Sequence, residues 1–326
     1  MTQDALYSIS LFVRVAEARS FTGAAKRLGL SASAVSKAVT RLEERLGVRL
    51  ANRTTRSVSL TDDGAAYFER CRQILSEIED AETAITRTRT KPTGRLRVLL
   101  PVGFGLKVLA PLLPKFSAAY PELSVDVEFS DRLADLAQEG IDAVVRIGDP
   151  GDTRLVARKL CALRYVPVAS PAYLRRCGEP RTPQDLKKHN CLRYHIPQTN
   201  RCREWSFAAG GQPQTAQVSG NLSMNSGSAL VDAAIAGSGI AVVATFMAYE
   251  AVRAGKLRVL LPGQAAMDSP VWVGYLERRH LSLRIRCFVD FLAAHIPPSS
   301  AWDTILPAGK PGTAIDASQR HPQQKS

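Results

Sequence analysis

The chain has 326 residues, of which 45% are hydrophobic and 22% charged, and it carries a formal net charge of +13 with an isoelectric point near 9.7. This length suits two or three domains, and this balance is that of a soluble globular protein, which excludes a fibrous or wholly disordered chain. The positive charge favours a polyanionic partner.

Targeting, metal and enzyme motifs are absent from the sequence. The first residues lack a basic segment followed by an apolar core, and we find no uninterrupted apolar run of about 18 residues, so we expect a cytoplasmic protein without a membrane partner. The six cysteines are scattered and no histidines cluster, which predicts no metal and no disulfide framework. Gly103 and Gly105 lack the third glycine of a dinucleotide fingerprint, and the chain has no other nucleotide-binding or hydrolase motif. We therefore expect neither an enzyme nor a cofactor.

Three short helices are predicted in the first fifty residues. Apolar residues at spacings of three and four predict the first over 6–18. Ser20 is a helix-capping residue before a second helix over 21–28, and Ser31 caps a third that ends at about Leu46. Residues 1–60 hold ten basic and four acidic side chains, so the positive charge is dense at this end.

The second and third helices form a candidate helix-turn-helix. Gly29 separates them, and Ala24 and Ala25 supply the small side chains that a close crossing needs. The residues predicted to form the core are Leu28, Leu30, Val35, Val39, Leu42 and Leu46. The opposite face carries short hydroxyls and cations that suit a major groove, namely Ala32, Ser33, Ser36, Lys37, Thr40 and Arg41.

A wing and a long helix follow. The stretch after Gly47 predicts two short β segments around a basic tip from Arg53 to Arg56, which suits phosphate or minor-groove contact; the alternative is a solvated basic face on an ordinary helical domain.

Thr61 caps a helix to about Arg89, in which apolar residues spaced 4, 3, 4, 3 and 4 predict a coiled-coil seam for a second copy of the chain. The alternative is packing against its own C-terminal domain. The seam positions are Tyr67, Cys71, Ile74, Ile78, Ala81 and Ile85.

The C-terminal part predicts a two-lobed α/β fold, so the chain as a whole is α/β. Strands over 95–100, 123–129 and 141–147 alternate with helices over 106–119 and 132–139, which is a parallel sheet. A second lobe begins with a strand at 163–169, and the chain crosses between lobes near Ala162 and Gln264. The second lobe contains 226–236, 239–243 and 246–254, and the first lobe is closed by 271–277 and 281–295.

The chain resembles the LysR-type transcriptional regulators. The resemblance covers about residues 5–298 and is carried by FTGAAKRLGLSASAVSKAVTRLEERLGVRL, NRT, LTDDG, LAPLLPKFSAAYPEL, IDAVVRIGD, ASPAYL and AIAGSGIAVV. It implies a dimer through the long helix, with tetramers common, and a C-terminal pair of lobes like those of periplasmic binding proteins. It places the DNA contacts on Ala32, Ser33, Ser36, Lys37 and Arg56, although many members have glutamine at the position of Ala32 and phenylalanine at that of Ala51.

These signals together predict the domain limits. A winged helix-turn-helix covers 1–60, and a linker helix with a hinge covers 61–92. The effector domain covers 93–298, and a disordered tail covers 299–326. Within the effector domain, lobe I is about 93–162 with 265–298, and lobe II is about 163–264.

An effector site is expected between the lobes, because ligands of open α/β sheets bind at the carboxyl ends of strands. Amides at two helix starts, with Arg146 nearby, can hold a carboxylate, although the family often has a hydroxyl where Gly103 stands. Each residue taken alone is equally well explained by turn formation or capping. The candidates are Pro101, Val102, Gly103, Phe104, Arg146, Gly148, Asn225 and Ser226, with Tyr194 and Phe246 joining Phe104 to suit an aromatic or apolar body.

We therefore expect a sequence-specific regulator that binds dyad-symmetric double-stranded DNA and responds to a small molecule. Two alternatives remain open at this point. An architectural DNA-binding protein would be insensitive to sequence and to ligands. A transport-type solute-binding protein would need a signal peptide and would have no use for residues 1–90.

Overall fold

The computed structural model describes residues 3–53, 58–86, 91–148, 154–197, 199–209, 212–262, 264, 268–277, 282–297 and 301–306. The chain divides into two compact units. The first is Met1–Pro92 with the short segments Asp135–Ile141 and Arg278–Leu283, and the second contains the remaining residues.

The N-terminal unit is a winged helix-turn-helix followed by a long helix, as predicted. Its core is formed by side chains such as Phe12, Val35, Val39 and Leu42, which are at most 1% exposed. The wing strands are antiparallel, with Ala51 opposite Leu60. The elements are α1 (Gln3–Ala18), α2 (Phe21–Leu28), α3 (Ala32–Leu46), β1 (Ala51–Arg53), β2 (Val58–Leu60) and α4 (Asp62–Thr86).

Side-chain caps begin the helices where the sequence predicts them. Ser20 Oγ accepts a hydrogen bond from the Gly23 amide at 3.1 Å, and Ser31 Oγ accepts one from the Ala34 amide at 3.2 Å. Each cap satisfies one of the amides that a helix start leaves without a partner. Gly29 ends α2 with a φ of 67°, a left-handed conformation that a residue with a side chain rarely adopts.

The prediction of the core of this unit is wrong for two residues. Leu28 and Leu46 are each 38% exposed. Each is the last residue of its helix and precedes a glycine in the left-handed conformation, Gly29 or Gly47. Because the chain leaves the helix axis at that glycine, the last side chain lies at the end of the apolar stripe and stays partly exposed to solvent.

The first part of the C-terminal unit contains the predicted parallel strands, because β3 pairs in parallel with both β4 and β5. The helix predicted over 132–139 is shorter, since the Asp135 carboxylate accepts hydrogen bonds from the Ala137 and Gln138 amides and starts the helix there. The elements are β3 (Gly94–Leu100), α5 (Val102–Phe104), a π turn (Gly105–Leu109), a 3-10 turn (Ala110–Leu112), α6 (Leu113–Ala119), β4 (Leu123–Phe129) and β5 (Ala143–Ile147). The short helix α7 (Leu136–Glu139) lies between β4 and β5 in the chain and belongs to the first compact unit.

The segment Val102–Ala119 is long and apolar enough to cross a membrane by length and composition, and it is the one such helical stretch among the described residues. It connects β3 to β4, which are hydrogen-bonded neighbours in one sheet. Phe104, Leu109 and Phe116 on it are fully buried in the core of the unit. This is the arrangement of a crossover helix that packs on its own sheet.

A long strand, β6 (Leu155–Ala169), connects the two lobes. It pairs with β14 (Asp268–Leu276) as far as Arg164 and with β12 (Ile240–Ala244) from Tyr165 onwards, so the crossing lies close to the predicted Ala162. The prediction started this strand at 163, eight residues late. The remaining elements are α8 (Pro171–Cys177), a 3-10 helix (Pro183–Lys188), β7 (Cys191–Ile196), β8 (Arg201–Cys202), β9 (Trp205–Ala209), β10 (Gln212–Ala216), β11 (Ser223–Met224), α9 (Gly227–Ile235), α10 (Thr245–Arg253), β13 (Arg258–Val259) and α11 (Leu283–His295).

The predicted disordered tail needs a correction at its start. Residues 301–306 form a 3-10 helix, Ala301–Ile305, that packs against the start of α10. Thr245 Oγ1 donates a hydrogen bond to the Asp303 carboxylate at 2.8 Å, and the Trp302 and Phe246 rings meet edge to face with centroids 6.3 Å apart. A buried hydroxyl and an aromatic partner on α10 therefore order a sequence whose composition predicted disorder; residues 307–326 lie outside the described part.

Candidate DNA-binding surface and effector site

The surface of α3 divides into two faces. Val35, Val39 and Leu42 point into the core of the N-terminal unit, and the crossing with α2 is close because Ala24 and Ala25 are at most 3% exposed. On the other side Ser33, Lys37 and Arg41 are exposed, while Ala32 and Ser36 are half-buried. Ala32 packs against the edge of the core, so its methyl group is only partly available to a ligand of this surface.

Glu43 connects α3 to the wing, and the sequence reasoning did not single it out. Its Oε1 accepts hydrogen bonds from the Leu50 and Ala51 amides at 2.8 and 3.0 Å. Leu50 is 1% exposed and Ala51 3%. A negative side chain near the C-terminus of a helix interacts unfavourably with the helix dipole. The position of Glu43 on α3 was therefore the one signal in the sequence that its carboxylate has a specific hydrogen-bond donor.

Gly64 lets α4 lie close to the backbone at Leu50. A Cβ at this position would lie 1.8 Å from the Leu50 carbonyl oxygen, so only glycine permits this approach of two backbones. Thr61 caps α4 as predicted, since its Oγ1 accepts from the Gly64 amide at 2.9 Å, and it also donates to the Arg49 carbonyl at 2.7 Å. Of the predicted wing contacts, Arg56 and the side chain of Arg53 lie outside the described residues.

Two of the positions predicted for a seam on α4 pack within the N-terminal unit. Tyr67 and Cys71 belong to the core of the N-terminal unit, and burial raises the pKa of the Tyr67 hydroxyl to about 12. Ile74 is 45% exposed, and Ile78 is half-buried. Of the six predicted positions, these two remain as candidates for contact with a second chain. The side chains of the other two, Ala81 and Ile85, lie outside the described part.

In the C-terminal unit, two helix starts from different lobes meet at one methionine. Gly103 lies in α5, and Gly227 is the first residue of α9. A Cβ on Gly103 would lie 2.4 Å from Met247 Cε, and a Cβ on Gly227 would lie 2.4 Å from Met247 Sδ. Met247 therefore fills the space between these two glycines. The sequence offered no sign of this residue.

The groups predicted to hold an anion have partners within the protein. The Val102 amide donates to the Asp131 carboxylate at 3.1 Å, and Ser226 Oγ caps α9 by accepting from the Ala229 amide at 3.3 Å. The Arg146 guanidinium donates to the Ala134 carbonyl at 3.2 Å. The Gly148 amide donates to the Pro270 carbonyl at 2.8 Å with Gly148 at a φ of 97°, which is turn formation. Pro101 is buried, and Asn225 is exposed.

The predicted aromatic residues fall into two places. Phe104 and Phe246 are buried edge to face, with centroids 5.5 Å apart, next to Gly103 and Met247 in sequence. Tyr194 lies under the Arg203 guanidinium, 4.9 Å from its carbon to the ring centroid. Burial raises the pKa of Tyr194, and the nearby charge of Asp131 raises it further, so this phenol stays neutral at physiological pH.

A separate cavity of about 500 Å³ lies in the second lobe. Lys187, Arg193 and Arg203 line it with Glu204 and residues of the segment 215–219, and none of the predicted effector residues does. Arg203 is shared between this cavity and the stack on Tyr194. In the part of the chain that the structure describes, no group of three or more His, Cys, Asp or Glu side chains is placed to hold a metal ion.

A winged helix-turn-helix in one unit and a two-lobed α/β fold in the other define a transcription regulator with an effector domain. The chain matches the family descriptions "Bacterial regulatory helix-turn-helix protein, lysR family" over residues 6–65 and "LysR substrate binding domain" over residues 89–297. It belongs to the LysR family of transcriptional regulators.

Named relatives agree over nearly the whole chain. An HTH-type transcriptional repressor of Pseudomonas aeruginosa is 38% identical over 89% of this chain and 91% of its own length. The HTH-type transcriptional activator AaeR of Escherichia coli is 34% identical over 89% and 93%. The structure of CrgA, a LysR-type regulator from Neisseria meningitidis, covers 89% of this chain and 98% of its own with 35% identity and a TM-score of 0.58. Relatives of similar identity thus include both a repressor and an activator.

Proposed function

We propose that the chain reads a dyad-symmetric operator with the exposed face of α3 and contacts the flanking backbone with the wing. The assigned contacts are Ser33, Ser36, Lys37 and Arg41 on α3, with Ala32 at its edge and Arg53 and Arg56 on the wing. The observation that carries this proposal is the division of α3 into a buried apolar face and an exposed hydroxyl and cation face. Short hydroxyls let the backbone approach base edges, while the cations neutralise phosphates.

A dimer through α4 would place two such faces on the two half-sites of one operator. Ile74 is a large apolar side chain that is 45% exposed on a helix of 25 residues, about 37 Å long. A second α4 is the partner that buries such a stripe over its length. A protein of this kind works beside the chromosome, which supports a cytoplasmic location.

The effector site in this proposal lies where Gly103 and Gly227 approach each other. Pro101, Val102 and Phe104 flank it from the first lobe. Asn225, Ser226, Phe246 and Tyr194 flank it from the second. Arg146 and Gly148 complete the predicted set, although they donate hydrogen bonds to the Ala134 and Pro270 carbonyls within the protein. A ligand that binds one arrangement of the lobes better than another changes DNA binding by that difference in affinity.

Lys37→Ala tests the reading face, with Lys115→Ala as a matched control. Lys115 is exposed on α6 in the C-terminal unit and loses the same charge. Binding to the DNA upstream of the gene is measured by fluorescence anisotropy at several salt concentrations. We expect Lys37→Ala to weaken binding and to reduce the slope of log K against log salt by about 0.9 if one phosphate contact is lost. A Lys37→Ala variant that behaves like Lys115→Ala would remove α3 from the interface.

A footprint over candidate metabolites separates this function from an architectural one. We expect a protected region with two half-sites about one helical turn, or a multiple of it, apart, and a change in protection with the effector. Protection without sequence preference and without any ligand response would instead support the architectural alternative.

A further inference from the structure

Met247 occupies the centre of the proposed effector site with an apolar, adaptable side chain. Its Cε and Sδ atoms are the nearest neighbours of Gly103 and Gly227, so a Cβ on either glycine would overlap them. Methionine has three rotatable bonds and a polarisable thioether, which allow it to fill irregular gaps and to leave them at low cost. Met247 packs against the apolar core that contains Phe104 and Phe246, so its surroundings on that side are apolar.

The first helix start at this place already has an anionic partner. Asp131 already supplies a carboxylate to the Val102 amide at the start of α5. A second carboxylate at that position would be repelled, because like charges at close range disfavour each other. The exposed cation Lys107 donates its Nζ to the Met247 carbonyl at 3.4 Å, which ties the first lobe to the start of α10.

We propose that the effector of this chain is an uncharged, apolar molecule whose body takes the place of the Met247 side chain between Gly103 and Gly227. The proposal rests on the effector site proposed above and assigns its ligand class. The carboxylate of Asp131, which already accepts the hydrogen bond of the Val102 amide, acts against an anion at this helix start. Displacing Met247 transmits binding to α10, because Met247 lies in its first turn beside Thr245 and Phe246, which hold the segment 301–306.

The test uses the full-length chain with its methionine methyl groups labelled with carbon-13. The chain has only four methionines, so Met247→Ala assigns the Met247 resonance by its disappearance. Two probes of nearly equal size are added separately, the neutral benzamide and the anionic benzoate. We expect benzamide to shift the Met247 methyl resonance and benzoate to leave it in place at the same concentration.

Binding to the variant gives the second readout. Met247→Ala removes the side chain that a ligand must displace and leaves an apolar space, which small aromatic molecules fill. We expect calorimetry to show benzamide binding Met247→Ala at least about tenfold more tightly than the parent, a difference of about 1.4 kcal/mol. Met224→Ala is the matched control, since Met224 is also half-buried in the second lobe but does not contact either glycine, and it should show no gain.

Each result decides one point. If benzoate moves the Met247 resonance as much as benzamide does, or binds Met247→Ala more tightly, the ligand class is wrong while the effector site stands. If neither probe moves the resonance and neither binds Met247→Ala, Met247 is a fixed part of the core and the inference fails. The proposed regulator function is judged separately, by the Lys37→Ala binding experiment and the footprint.

Discussion

The hydrogen bonds of Glu43 give the strongest quantitative prediction for the DNA-binding unit. Glu43→Ala leaves the Leu50 and Ala51 amides without their carboxylate, and both residues are almost fully buried. A buried donor without a partner costs about 1–3 kcal/mol, so losing both bonds should destabilise the wing by about 2–4 kcal/mol if the loop relaxes in part. Because a chain of several domains does not unfold in one step, the effect has to be measured locally.

Hydrogen exchange followed by mass spectrometry provides that local measurement. Peptides that contain Leu50 and Ala51 should exchange at least about tenfold faster in Glu43→Ala than in the parent, since 1.4 kcal/mol corresponds to a factor of ten. Glu43→Gln keeps an oxygen acceptor and should retain most of the protection. Glu44→Ala removes the same charge from an exposed neighbour and is the control. If Glu43→Ala exchanges no faster than Glu44→Ala, these two hydrogen bonds do not stabilise the wing.

Three further predictions follow from burial. Ile78→Glu places an unpaired charge in the proposed dimer seam, so sedimentation should show dissociation; an unchanged association state would place dimerisation elsewhere. Burial raises the pKa of the Cys191 thiol to about 12, whereas Cys177 is exposed, so iodoacetamide at pH 8 should label Cys177 first, and equal labelling would contradict the burial. Trp302→Ala removes the ring that packs on Phe246 and should cost about 1–3 kcal/mol locally, which is below the range for a fully buried tryptophan. Peptides that contain Thr245 and Phe246 should then exchange their amide hydrogens faster, and no change would mean that segment 301–306 is not held.

Much of the N-terminal unit could be predicted from the sequence because its signals are local. A helix cap depends on a hydroxyl and an amide three residues away, as Ser20, Ser31 and Thr61 show. The faces of α3 follow from its period of 3.6 residues, which separates Lys37 from Val35 and Val39. The same reasoning failed where part of a helix packs against other elements of its own unit. Tyr67 and Cys71 fit the heptad spacing, yet Cys71 is buried in the core of its own unit and Tyr67 packs against that core.

In the C-terminal unit, the sequence predicted the strands, the two lobes and the helix starts at which we expect a ligand. It also predicted free donors there, because an amide at a helix start has no partner within the helix. Only the tertiary structure decides whether a distant residue supplies that partner. Asp131 accepts the hydrogen bond of the Val102 amide, and Met247 fills the space between Gly103 and Gly227. Asp131 and Met247 are distant in sequence from the residues they contact, so no local sequence pattern predicts these contacts. The fold of the sheet decides which side chains lie together at this place.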